Sequence, residues 1–187
     1  MHIQTTRRSF LKQTLVGTTM VFMVPLFTVS QVQGKTSGSD ISGKLFVYNT
    51  HTQESLQIRY LDHNGNWIPE ALARLNRLFR CHYNHEVETV DPSLFLLMDR
   101  IHTHLDAGRQ PLRLISGYRS PEYNDFLRSR GSRVAKQSYH LRGMAADIQI
   151  EGIKLEKLLK VAMQLKGGGV GSYSQFVHVD VGPLRSW

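Results

Sequence analysis

The chain has 187 residues, of which 41% are hydrophobic, and 23 Lys and Arg against 15 Asp and Glu give it a formal net charge of +8. That is enough apolar material for one domain with a sizeable core, and a single cysteine, Cys81, excludes an intramolecular disulfide framework. The basic balance points to an anionic partner; no nucleic-acid-binding motif accompanies it, which excludes the commonest one.

Residues 1–34 read as a targeting segment. A twin arginine, Arg7-Arg8, is followed by Ser9-Phe10-Leu11-Lys12 and an apolar run from Leu15 to Val29, the layout of a twin-arginine signal peptide. The run carries Thr and Gly and falls short of a span of about 20 residues. The expectation is therefore export by the twin-arginine machinery to the periplasm, with no stable membrane span in the mature form. Cleavage between Ser30 and Gly34 removes three basic residues and leaves a formal charge of +5. A Gly/Ser-rich flexible linker is expected over 35–43 and a single domain over 44–187.

Within that domain KLFVYNT and SLQIRYL alternate as a strand pair, closed by the turn signal HNGN. PEALARLNRLF is an amphipathic helix with Leu72, Leu75 and Phe79 on one face. A second helix starts at Asp91-Pro92, carries Leu94, Leu97, Ile101 and Leu105, and ends at Gly108. RLISGYRS is a strand running into a turn, and SPEYNDFLRSRG a helix capped by Ser120. GMAADIQI is a strand, KLEKLLKVAMQL a helix, and GGVGSYSQFVHVDVG a Gly-rich turn with strands. The order shows no regular βαβ alternation, so an α+β fold is expected.

Two strands show the same unusual pattern. FVHVDV turns Val177, Val179 and Val181 to one face and Phe176, His178 and Asp180 to the other; GMAADIQI places Met144, Ala146, Ile148 and Ile150 against Ala145, Asp147 and Gln149. Each strand thus has an apolar face and a face with metal-ligating groups. If they pair, Asp147 and His178 meet, and His140 folds over them from the turn before Gly143. Two imidazoles and one carboxylate are the ligand set of a catalytic zinc with an open fourth position. A metal would neutralise Asp147, whose unpaired burial is otherwise costly. The competing reading has Asp147 capping a turn or pairing with Arg142, and His178 as a satisfied strand histidine; spacing leaves the two open.

The run Ser138-x-His140-x-x-Gly143-x-Ala145-x-Asp147 resembles, residue for residue, the S-x-H-x-x-G-x-A-x-D signature of the D-Ala-D-Ala metallopeptidases, which share a hedgehog-like zinc fold. Upstream, SGYRS (Ser116 to Ser120) stands where that family has its substrate-facing arginine. GYRSPEYN and the HVDVGPxRxW run are similar to its murein endopeptidase K branch. The resemblance covers Leu94 to Trp187. It implies a small antiparallel sheet with flanking helices, one zinc ion per chain on His140, Asp147 and His178, and action on the peptide cross-links of peptidoglycan. Arg119 would stabilise the oxyanion or bind a substrate carboxylate, Ser138 would hydrogen-bond substrate, and Tyr139 would wall the pocket.

One departure stands out. Where many members carry an acidic general base three residues before the last ligand, this chain has Gln175. Asp180, the nearest carboxylate on that strand face, is then either the base or a group that holds a ligand in place. His102 and His104 read as surface residues, and Cys81 as a packed one. Cys81, His82 and His85 are a weak second metal candidate, while His51 and His63 fall in a hairpin and a turn. Two further readings remain open: a D,D- or L,D-carboxypeptidase or dipeptidase on wall peptides, and a catalytically silent zinc- or peptidoglycan-binding module.

Overall fold

A computed structural model describes residues 41–132 and 134–187 of the chain. The signal peptide expected over 1–34 and most of the linker expected over 35–43 lie outside the described residues. Among the described residues no helix is long and apolar enough to cross a membrane.

The strands are β1 (Lys44–Asn49), β2 (Ser55–Arg59), β3 (Leu112–Ser116), β4 (Ala145–Ile150), β5 (Gly169–Ser172), β6 (Val177–Asp180) and β7 (Arg185–Ser186). The helices are α1 (Pro69–Leu78), α2 (Pro92–His104), α3 (Pro121–Ser129) and α4 (Leu155–Leu165), with a 3-10 turn at Tyr139–Arg142. Proline pre-sets the first turn of α1, α2 and α3, and the side chains of Asp91 and Ser120 cap the last two of these by accepting backbone N–H groups. The α+β class holds. The small antiparallel sheet does not: seven strands form one mixed sheet in the order β2-β1-β3-β4-β6-β5-β7. The β1–β3 and β5–β7 pairs are parallel, because long excursions through α1 and α2, and through the β6 turn, bring each second strand back in the same direction. The two-residue β7 was not expected from the sequence.

Strand alternation sorts the two faces of the sheet. Leu45, Val47, Leu112, Leu114, Ala146, Ile148, Ile150, Val170, Val177 and Val179 are buried with Leu94, Leu97, Met98 and Ile101 of α2 and with Leu158 and Ala162 of α4. The opposite face carries Asp147, His178 and Asp180, so burying the apolar set forces the polar set into register.

Asp99, inside α2, is almost fully buried and accepts hydrogen bonds from Ser42 Oγ (2.7 Å), Gly43 N (2.8 Å) and Tyr60 Oη (2.7 Å). These bonds tie residues 42 and 43 to α2, so the chain is anchored before β1, within the stretch expected to be a linker. Burial, followed by the hydrogen bond to Asp99, pushes the Tyr60 phenol far above its ordinary pKa. Asp99→Ala would leave the Gly43 N–H and the Tyr60 O–H without an acceptor. We expect a loss of about 2–4 kcal/mol, read as a lower urea midpoint at unchanged m-value; a midpoint within error of the parent would show that water replaces the carboxylate.

Candidate metal centre and cavity

β4 and β6 pair antiparallel with Asp147 directly opposite His178, and His140 arrives from the 3-10 turn. Ser138 starts that turn by accepting the His140 N–H (3.3 Å). Gly143 ends it in the left-handed region, φ 61°. A Cβ at Gly143 would also meet the Thr89 carbonyl at 2.5 Å, so conformation and space both demand glycine there. The turn is pinned on both sides: Arg119 N donates to His140 O (3.1 Å), and Asp91 N to Gly143 O (2.9 Å).

The three side chains converge. His178 Nδ1 lies 2.8 Å from Asp147 Oδ1, and His140 Nε2 lies 3.2 Å from both. Donor separations of about 3.3 Å are what a tetrahedral ion with bonds of about 2.0–2.1 Å requires. The outer nitrogens settle which ring atoms face inward. His140 Nδ1–H donates to the Gly117 carbonyl at 2.7 Å, and His178 Nε2–H to Asp180 Oδ2 at 3.1 Å. Each ring therefore directs its remaining lone pair to the common point, with a partner holding its tautomer. Among the described residues this is the one His/Cys/Asp/Glu group that can hold a metal ion. Burial alone would raise the Asp147 carboxyl, yet the imidazoles of His140 and His178 hold it well below the usual carboxylate range. Burial would likewise lower His178; the carboxylates of Asp147 and Asp180 outweigh it and push its pKa up.

The group opens onto a cavity of about 550 Å³ also lined by Arg119, Ser138, Tyr139 and Trp187. Arg119 is buried, with Nη2 3.8 Å from Asp147 Oδ2 and 3.3 Å from Ser116 Oγ, while its Nε has no partner. Burial lowers its pKa and Asp147 opposes that shift. A buried guanidinium N–H without an acceptor beside an open cavity is a ready donor to a substrate oxygen. Ser138 and Tyr139 both border the cavity, and the guanidinium groups of Arg142 and Arg185 stand 4.3 Å and 4.7 Å from the centre of the Tyr139 ring.

Asp180 lies on the far side of His178 from the convergence point and does not line the cavity. It is fully buried, and its oxygens accept from Gly169 N, Gly182 N, His178 Nε2 and twice from Arg185, at 2.6–3.1 Å. Against burial, these bonds hold its carboxyl well below the usual range. Every lone pair is engaged, which leaves none for a water in the cavity. Gln175 is exposed and does not line the cavity, and among the described residues Asp147 is the only carboxylate that does.

Sequence reasoning missed Arg185, Trp187 and Tyr173. Arg185 anchors Asp180; the Trp187 ring lies 5.3 Å from that of His178, and its Nε1 donates to Tyr173 Oη at 3.1 Å. The β5–β7 pairing that brings them there is non-local; the HVDVGPxRxW run contains Arg185 and Trp187 but gave neither a role. Gly117 was within the quoted SGYRS run, but its carbonyl as a partner of His140 had no sequence signal. Cys81 is buried with its thiol against Ser120 Oγ (3.5 Å), as a packed residue. His82 instead stacks on His51, so Cys81, His82 and His85 do not converge on a metal site. His102 bonds the Gln110 carbonyl just before β3, and His104 the Arg100 carbonyl within α2.

Residues 39–187 match a family model described as peptidoglycan L,D-endopeptidase MepK. The peptidoglycan L,D-endopeptidase MepK of Escherichia coli (strain K12) is 45% identical over 145 residues, covering 76% of this chain and 79% of that protein. The protein of the same name from Shigella flexneri matches at the same identity and coverage. The probable peptidoglycan L,D-endopeptidase MepK of Haemophilus influenzae is 38% identical over 141 residues, covering 74% and 75%.

Proposed function

From the premise that this chain belongs to the peptidoglycan L,D-endopeptidase MepK family, we propose that it is a zinc-dependent murein endopeptidase. It hydrolyses peptide cross-links of peptidoglycan during cell-wall remodelling, after export to the periplasm by the twin-arginine route. The observation that carries this reading is the convergence of His140, Asp147 and His178 on one point at the edge of the cavity. Their nitrogen and oxygen donors, at these separations, fit zinc. When bound, the ion supplies a Lewis acid and an acidified water at neutral pH.

The remaining work falls to the chain's own groups. Arg119, with its free Nε–H, donates to the carbonyl oxygen of the scissile amide as negative charge develops there, or holds a substrate carboxylate. Ser138 bonds the substrate backbone at the cavity edge, and Tyr139 and Trp187 form apolar walls that align the peptide. Asp180 is a positioning residue: it fixes the His178 ring, and Arg185 in turn fixes Asp180. The L,D name of the relatives supports a bond between the carbonyl of an L centre and the nitrogen on a D centre.

Cross-linked sacculi incubated with the protein, with zinc or with chelator, and read by mass spectrometry of released muropeptides, test the reading. Zinc-dependent loss of dimers with matching monomers is the expected result. Unchanged dimers with shortened stem peptides would make it a carboxypeptidase, and zinc binding without turnover a binding module.

A further inference from the structure

Beside the cavity the surface carries an aromatic platform that neither the core nor the metal centre uses. His51 and His82 lie parallel at 3.7 Å, and His82 meets Tyr123 edge-on at 4.8 Å. Tyr83 then lies nearly parallel to both Tyr123 (5.1 Å, 15°) and Phe126 (5.5 Å, 25°). Those two rings are 6.3 Å apart, so both lie to the same side of Tyr83 and back the same face. Tyr83 is 45% exposed and Phe126 40%, which leaves the outer face of Tyr83 open to solvent. The rim is polar: Asn84 Nδ2 reaches Glu86 Oε2 (3.2 Å) and Glu122 Oε2 (3.5 Å), and the Arg130 guanidinium stands 5.7 Å over Phe126. Burial, with help from His51 and Arg119, holds the His82 pKa down at about 4, so the His82 ring meets Tyr123 as a neutral imidazole at pH 7.

We propose that this platform is a subsite for the glycan strand of peptidoglycan, with a sugar ring stacked on the open face of Tyr83. The proposal rests on the endopeptidase reading above. Three features of the surface carry it. The platform lies next to a cavity-lining residue: Tyr123 sits in the first turn of α3, which begins directly after Arg119 and Ser120, and Cys81, the residue before His82, has its thiol 3.5 Å from Ser120 Oγ. A stem peptide is covalently joined to its sugar, and each extended residue adds only about 3.3–3.6 Å, so the sugar bearing a peptide in the cavity stays within a few residues' reach of it. A sugar ring presents C–H groups on its face and hydroxyls at its edge, matching an open aromatic face with an amide, carboxylate and guanidinium rim.

The test uses peptide-free glycan strands, prepared by amidase digestion of sacculi, titrated into the protein while the aromatic resonances are followed by NMR. Tyr83 and Phe126 signals are expected to move. Tyr83→Ala should weaken glycan binding about tenfold, whereas Tyr83→Trp should retain it. On intact sacculi Tyr83→Ala should lose a similar factor in rate while cleaving sugar-free cross-linked peptide dimers at the parent rate. Unmoved aromatic signals, or equal loss on both substrates, would overturn the proposal. So would self-association by sedimentation that Tyr83→Ala abolishes without any glycan binding, which would make the face an interface between copies. If the parent protein cleaves neither substrate, the endopeptidase reading fails, while the glycan titration still reads the platform by itself.

Discussion

Asp147→Asn is expected to empty the metal centre. In the proposed centre the carboxylate would contribute one of three ligand atoms and the only negative charge among them, with its Oδ1 2.8–3.2 Å from the two imidazole nitrogens. An amide of the same shape keeps the packing but is a far poorer donor for zinc. Metal content measured on the purified protein should fall from about one ion per chain to a small fraction of that. The rise in melting temperature on adding zinc, which reports binding to the folded state alone, should vanish. Activity should fall by about a thousandfold or more, since several kcal/mol of charge stabilisation leave with the ion. The fold should survive, because Arg119 and the two histidines border a cavity that admits water. A variant that keeps its zinc and its thermal response would remove Asp147 from the ligand set.

Asp180→Asn separates the two roles that the sequence leaves open for this residue. A general base contributes about 10²–10⁴-fold to the rate, and its loss is not repaired by metal. A residue that orients a ligand costs about 10–100-fold in metal affinity, and that loss is repaired by excess zinc. The geometry favours the second: Asp180 is fully buried behind His178, and its oxygens are occupied by Arg185, Gly169, Gly182 and His178 itself. We expect weak activity at stoichiometric zinc, restored to within a few-fold of the parent by saturating zinc. A destabilisation of about 1–3 kcal/mol should accompany it, because Arg185 loses the charge of its partner but reaches solvent. A rate that stays a hundredfold low at saturating metal, with full occupancy, would return the base role to Asp180. Arg185→Met should reproduce the affinity loss, since it frees the same carboxylate from its anchor.

Much of this protein was legible from the order of its residues alone. Alternation in FVHVDV and GMAADIQI marked the core faces correctly, because a strand with period two can bury only one set of its side chains. The same constraint delivered Asp147 and His178 to one face, and Ser138 and Gly143 marked the tight turn that returns His140. Prolines 69, 92 and 121, with the caps Asp91 and Ser120, located three of the four helices, since capping and proline geometry are local properties. Non-local pairing was not readable. The parallel β1–β3 and β5–β7 pairs depend on where long connections return the chain, and with them came the mixed sheet, the Arg185 anchor and the Trp187 wall. The second role of Asp180 behind His178 followed from that pairing too, because a carboxylate two residues along a strand faces the same way whether it serves water or a ring. Burial of the Val face sets which side chains share a surface; the direction from which a partner strand arrives sets what each of them can touch.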